Sequence, residues 1–236
     1  MDGVTWERFE AAVARRGGAS FWWRDDDAAL PDAALARLLA LDVPLALAVV
    51  PLLAVPELFR ILPSRVGVLQ HGSDHRNRAA PGEKKTEFPA SESDESALER
   101  LSRASLHLRK MAGERALPVL VPPWNRIRET LIPSLPRLGF SGLSQDGKAR
   151  PVQGLQQVNT HIDIVAWKAG KRFIGEAQAL SAALELMEMT DPVGWLTHHA
   201  VHDEAAWRFL ERLARVEGVR WRSAAELFSY TAPGHA

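Results

Sequence analysis

Residues 19–27, ASFWWRDDD, change character in mid-course: small and aromatic as far as Trp23, then Arg24 and three carboxylates at Asp25, Asp26 and Asp27. Aromatic residues favour extended backbone, and Gly17-Gly18 just before them is a natural helix stop. The reading is a strand over 19–24 that delivers its carboxylates at its C-terminal end. The same pattern recurs down the chain. Pro44 opens an apolar strand at 45–50, the strand at 66–70 runs into His71-Gly-Ser-Asp-His75, the strand at 117–121 ends at Pro122-Pro123, and the strand at 193–197 is followed by His198-His199. Shorter strands are expected at 140–143, 161–167 and 219–221.

Between these strands the apolar residues take helical spacing, at 4–15, 32–41, 55–62, 95–112, 129–138, 176–189 and 204–217. Ser223 with Glu226 forms a capping box for a last short helix, and the polar stretch 79–94 is a long loop. Strand and helix alternating about seven times specify an α/β protein whose parallel sheet is closed or nearly closed into a barrel. No repeat or linker divides the 236 residues, so a single domain over 1–236 is expected. In such a barrel the strand C-terminal ends meet on one face, which brings together the polar clusters at 25–27, 71–75, 122–126 and 198–202.

Composition narrows the chemistry by exclusion. Lys plus Arg equals Asp plus Glu at 29 each, so no global charge recruits nucleic acid or an anionic membrane. The chain has no cysteine, which removes disulfides, thiolate metal ligands and a cysteine nucleophile. A transition metal would have to be held by histidine and carboxylate. The amphipathic N-terminus lacks a signal-peptide apolar run, and the most apolar stretch, 43–55, is interrupted by Pro44 and Pro51 and too short to span a bilayer. A cytoplasmic protein is expected.

Each polar cluster has a plain reading beside a chemical one. His71 and His75 stand four apart; on a helical turn both imidazoles would reach one ion, and on a solvated loop they would bond backbone carbonyls. The aspartate triplet could cap a helix, or it could supply a carboxylate ligand whose charge a cation offsets. Taken together, two histidines and one carboxylate describe a site with open coordination positions, which suits catalysis. In WLTHHAVHDE, one of His198, His199 and His202 could act as a general acid while the others support it or cap the next helix. VPPWNR offers a rigid turn that could present a backbone N–H to an oxyanion, or simply pack Trp124; Arg126 and Asp163 could pair across the site. The stripe Leu180, Leu184, Met187 is core. His198-His199 and His202-Asp203 also raise an HD-type phosphohydrolase, a helical class that the strand runs argue against.

With these residues in view, the chain resembles the polysaccharide deacetylase (NodB-homology) family, carbohydrate esterase family four, over about residues 20–228. Arg24-Asp25-Asp26-Asp27-Ala28 is similar to its first motif and implies Asp26 as catalytic base and Asp27 as metal ligand, with Asp25/Asp26 as the alternative register. His71 and His75 match the second motif as metal ligands, and Leu196-Thr197-His198 matches the fifth, with His198 as catalytic acid. The third motif departs from the family: Val121 stands near the usual arginine, and Arg126 follows the Pro-aromatic pair, where Trp124 would supply the oxyanion N–H. The fourth, an Asp ahead of a Trp, resembles Asp163 to Trp167 with altered spacing.

The resemblance implies a distorted (β/α)7-type barrel and one divalent ion, foremost Zn2+, with Co2+, Mn2+ or Ni2+ also suited to the ligands. It implies hydrolysis of the amide of an N-acylated sugar or glycan precursor, a small-molecule or oligosaccharide substrate. Asp26 would take a proton from water and His198 would protonate the leaving amine. An amidase on a non-sugar N-acyl compound and an inactive carbohydrate-binding relative share these features. Residues 75–88, HRNRAAPGEKKTEF, are similar to intracellular bacterial members.

Overall fold

In the computed structural model, which describes residues 4–229, the longest strand is β1 (Ala19–Ala28), and the sheet is built around it. On one side β1 pairs in parallel with β10 (Val193–Thr197), Phe21 opposite Val193 and Asp25 opposite Thr197. On the other side its length is shared. Residues 19–22 pair with β11 (Val219–Arg222), whereas Arg24 onward pairs with β2 (Leu45–Val49). From β2 the sheet continues through β3 (Val66–His71), β4 (Ala116–Val121), β5 (Gly142–Leu143) and β6 (Gln156–Gln157), and beyond β10 it ends at β7 (Ile162–Asp163). All these pairings are parallel, and the sheet curls into a half-barrel of the expected type. Among the described residues no ladder joins β6 to β7; the single parallel bridge Asp146–Thr160 lies on that side.

The alternation of side chains along β1 sorts the whole interior. Phe21 and Trp23 point outward, into a core shared with α1 (Trp6–Arg15), α2 (Ala33–Leu39), α5 (Glu176–Met187) and α6 (Glu204–Leu213). Trp22 points inward and packs with Ala46, Ala48, Leu69, Val119 and Val121 of β2–β4. Alanines on β2 leave room for the indole, whose ring also meets Phe228 edge-on at 6.2 Å. Phe228, with Ala224 and Leu227 of α7 (Ala224–Leu227), plugs the lower end of the barrel. The expected capping box is present at Ser223 and Glu226. Two further helices, α3 (Pro56–Ile61) and α4 (Asp94–Ala112), cover β2–β4, and the remaining apolar cluster joins α4 to the 127–143 region. No helix among the described residues is long and apolar enough to cross a membrane.

The main departures from the sequence reading are local. β1 runs four residues past Arg24 and carries the triplet within it. Residues 129–138 form no α-helix but a 3-10 helix, Ile132–Leu138, because Pro133 and Pro136 remove amide donors. Residues 161–167 are not one strand: β7 ends at Asp163, and β8 (Val165–Ala166) turns away to pair antiparallel with β9 (Arg172–Phe173). Finally, α5 and α6 stop at Met187 and Leu213, short of the expected 189 and 217.

Candidate active site

A regular strand would send Asp25 and Asp27 to one face and Asp26 to the other. Asp25 obeys the rule and points outward with Trp23, fully buried. Its Oδ2 accepts from Thr197 Oγ1 at 2.6 Å and from His199 N at 3.0 Å, and Oδ1 faces His199 Nδ1. Thr197 in turn accepts from Trp23 Nε1 at 2.8 Å. Burial alone would raise the Asp25 pKa, but the charge and hydrogen bond of His199 outweigh it and lower it; the same pairing raises His199 against its own burial. Asp27 breaks the rule. The β1–β2 register shifts between Asp25 and Ala28, and Asp27 has φ +71°, so its carboxylate swings to the open end of the barrel instead of following Asp25.

There Asp27 meets both histidines of HGSDH. Its Oδ1 lies 3.0 Å from His71 Nε2 and 3.0 Å from His75 Nε2, and one donor atom from each residue falls within 4.8 Å of the others. Of the two readings, helical turn or loop, the loop forms. His71 ends β3, while His75 stands on an irregular loop with φ +54°, reached through Gly72 at φ +57°. His71 Nδ1 is 3.0 Å from the Val121 carbonyl, which can only accept, so Nδ1 carries a proton and Nε2, which faces Asp27, is the nitrogen that would serve a cation. Donors of a tetrahedral ion with bonds near 2.1 Å stand about 3.4 Å apart. The three side chains therefore fit a cation in both donor type and spacing. Desolvation raises the Asp27 pKa, yet the hydrogen bonds of His71 and His75 hold it far below the usual carboxylate range. His71 is raised despite its burial, chiefly by Asp26 and Asp27. The pocket thus favours positive charge between these donors.

Asp26 points into the barrel beside this group, and sequence reasoning missed its partner. Arg24, two residues back and on the same face, forks onto it: Nε to Oδ1 at 2.8 Å and Nη2 to Oδ2 at 3.0 Å, with both side chains buried. The guanidinium is held from behind by Ser144 Oγ (2.8 Å), the Gln145 carbonyl (3.1 Å) and Asn125 Oδ1 (2.7 Å). The i, i+2 spacing of Arg24 and Asp26 could have shown their common face in advance. The fork leaves each carboxylate oxygen a second lone pair.

Trp124 lies against His75 with ring centroids 4.5 Å apart, and both Trp124 and Asn125 have φ +56°. Asn125 N and Arg126 N donate to Pro122 and Pro123, whereas Trp124 N makes no hydrogen bond among the described residues. Among the described residues, four of the six non-glycine residues with positive φ, Asp27, His75, Trp124 and Asn125, thus gather at this one site. Arg126 does not join it. Its side chain is exposed and donates to the Lys85 carbonyl at 2.8 Å, and the pairing with Asp163 that the sequence left possible is not made.

Asp163 serves the opposite wall. It accepts from Trp167 Nε1 at 2.7 Å and Val165 N at 2.9 Å, and the Trp167 ring stands edge-on to His198 at 4.7 Å. Burial raises the Asp163 pKa, and the charge of His198 opposes it. His198 follows β10 directly, one step beyond the Asp25–Thr197 pair, beside Asp26. Its Nδ1 is buried without a hydrogen-bond partner among the described residues, and its backbone N–H donates to His202 Nε2 at 3.3 Å. His199 and His202 are turned into the protein, so of the three histidines His198 is the one on the site wall.

No family's sequence profile matches the chain, and no curated protein does. Solved structures do. A peptidoglycan N-acetylglucosamine deacetylase in complex with an N-oxidanyl-benzamide superposes with TM-score 0.60 at 15% identity, over 91% of this chain and 90% of that one. A family 4 acetyl xylan esterase from Clostridium thermocellum, in complex with a cobalt ion, gives 0.56 at 16% identity, over 89% and 90%. A mutant of a pseudoenzyme of the same family, its activity restored, gives 0.59 at 14% identity, over 90% of this chain and 68% of that one. At these identities the likeness establishes a shared fold, that of the polysaccharide deacetylases.

Proposed function

We propose that this chain, built on the polysaccharide-deacetylase fold, is a metal-dependent hydrolase that removes the acyl group from an N-acylated sugar or glycan precursor. The observation that carries the reading is the convergence of Asp27, His71 and His75 donors within 4.8 Å, beside the Arg24-anchored Asp26. Those three residues would hold one divalent ion, Zn2+ foremost, with Co2+, Mn2+ or Ni2+ also suited to nitrogen and oxygen donors. When bound, such an ion polarises an acyl carbonyl and lowers the pKa of water.

The chain's own residues divide the remaining work. Asp26, its orientation fixed by the Arg24 fork, takes the proton of the attacking water on a free lone pair. The Trp124 N–H, held outward by its positive φ, donates to the developing oxyanion. His198 gives its proton to the departing amine nitrogen, with Trp167 and Asp163 limiting where its ring can lie. Arg24 thereby fills in space the place left by the departure at Val121: it carries a guanidinium to the base from β1 instead of from the end of β4. The cytoplasmic, single-domain character expected from the sequence forms part of this proposal.

The test is incubation of the Zn2+- or Co2+-loaded protein with N-acetylglucosamine, its short oligomers and N-acetylated non-sugar amines, following acetate release. Turnover on the sugars supports the reading. Turnover confined to the non-sugar amines moves the substrate class, and full metal occupancy without turnover on any of them identifies an inactive relative.

A further inference from the structure

We propose that Glu87, from the long loop before α4, is a positioning residue that holds the 72–75 loop in the conformation presenting His75 to Asp27; this rests on the metal-site reading above. Glu87 is a carboxylate with no exposed surface. A charge so placed is costly unless fully partnered, and its partners all lead to the metal loop. It accepts from Ser73 N at 2.9 Å and from Ser73 Oγ, and it pairs with Arg100 of α4 at 3.6 Å. Arg100 closes the circuit by donating to Ser73 Oγ at 3.1 Å and to the Glu87 carbonyl at 3.0 Å, while also pairing with Glu92. Gly72 is shaped by the same contact, because a Cβ there would stand 2.2 Å from Glu87 Oε2 and 2.6 Å from Pro123. Asp74, which follows Ser73, is tied separately by a two-pronged bond from Arg78, at 2.8 and 2.7 Å.

The two histidines need this support unequally. His71 belongs to β3 and is fixed by the strand ladder and by the Val121 carbonyl. His75 lies beyond the strand in a left-handed conformation that side chains disfavour, with the Trp124 ring and Asp27 as its neighbours in the site. Ser73 and Asp74 link the two, and both are tethered to the segment that ends in Glu87 and Glu92. Second-layer groups of this kind alter metal affinity by about 10- to 100-fold.

The test is a double-mutant cycle read by Zn2+ affinity, using competition with a chromophoric chelator, on the wild-type chain, Glu87→Gln, His75→Ala and the double variant. Amide hydrogen exchange of residues 72–76 is measured on the metal-free proteins. Expected is a loss of about 10- to 100-fold in Zn2+ affinity for Glu87→Gln, faster exchange at 72–76, and no further loss when His75 is already alanine. Equal losses in both backgrounds would show general destabilisation and overturn the assignment, as would unchanged exchange and affinity. If Glu87→Gln fails to fold, Ser73→Ala removes one hydroxyl of the same circuit and is expected to act in the same direction. A wild-type chain that binds no Zn2+ sinks the metal reading; unchanged exchange in Glu87→Gln sinks the brace, whichever way the metal result falls.

Discussion

Two groups of histidines sit at the open end of the barrel, and they are built in opposite ways. His71 and His75 turn their Nε2 atoms toward a shared carboxylate oxygen, each 3.0 Å away. His198, His199 and His202 diverge: one faces the site wall beside Trp167, one is locked to buried Asp25, and one stands edge-on to Trp207 while accepting from the His198 amide. The difference teaches that histidine density in a sequence says little about function. What separates the groups is whether the ring nitrogens converge on one carboxylate oxygen, as His71 and His75 do on Asp27, or turn to separate partners.

The comparison can be sharpened first at the carboxylate between the two groups. Asp26→Asn keeps the three metal donors untouched and should lower kcat by about 10²- to 10⁴-fold with metal content unchanged, measured by steady-state kinetics beside elemental analysis. If Asp26→Asn retains wild-type turnover, Asp26 is not the base. Next comes its partner. Arg24→Met leaves a buried carboxylate without its fork and should cost about 3–5 kcal/mol in denaturant unfolding, most of it recovered when Asp26→Leu is added. Additive losses would mean that the pair is not the unit described.

The smallest effect belongs to the non-converging group. Burial holds His202 down to about 4, so it stays neutral in the folded chain while the unfolded chain takes up a proton near 6.5. Its contribution to stability is therefore present above pH 6.5 and lost as the pH falls toward 4, up to about 3 kcal/mol. His202→Gln, which can still accept from the His198 amide, should flatten the stability profile in that window. An unchanged slope would assign the acid sensitivity elsewhere.

Much of the barrel was legible in the sequence, because strands buried on both faces leave apolar runs such as 45–50 and 117–121 that end where polar clusters begin. The residue types at the candidate metal site were legible for the same reason. What periodicity could not show is the irregular backbone. The register shift after Asp25 decides which carboxylate of the triplet meets the histidines, and it arises from pairing with β2, distant in sequence. Of the helical turn and the loop that the sequence left open at HGSDH, the loop forms, with Gly72 and His75 both at positive φ under tethers from residues 78–100. Arg24 reads in the sequence as the end of a strand, and only its i, i+2 relation to Asp26 points to their common face.

Metal stoichiometry tests the central claim most directly. The purified chain, stripped and reloaded with Co2+, is titrated by absorbance and elemental analysis beside His71→Ala and His199→Ala. The account predicts about one ion per chain for the wild type and for His199→Ala, and almost none for His71→Ala. Full occupancy in His71→Ala, or none in the wild type, would contradict it.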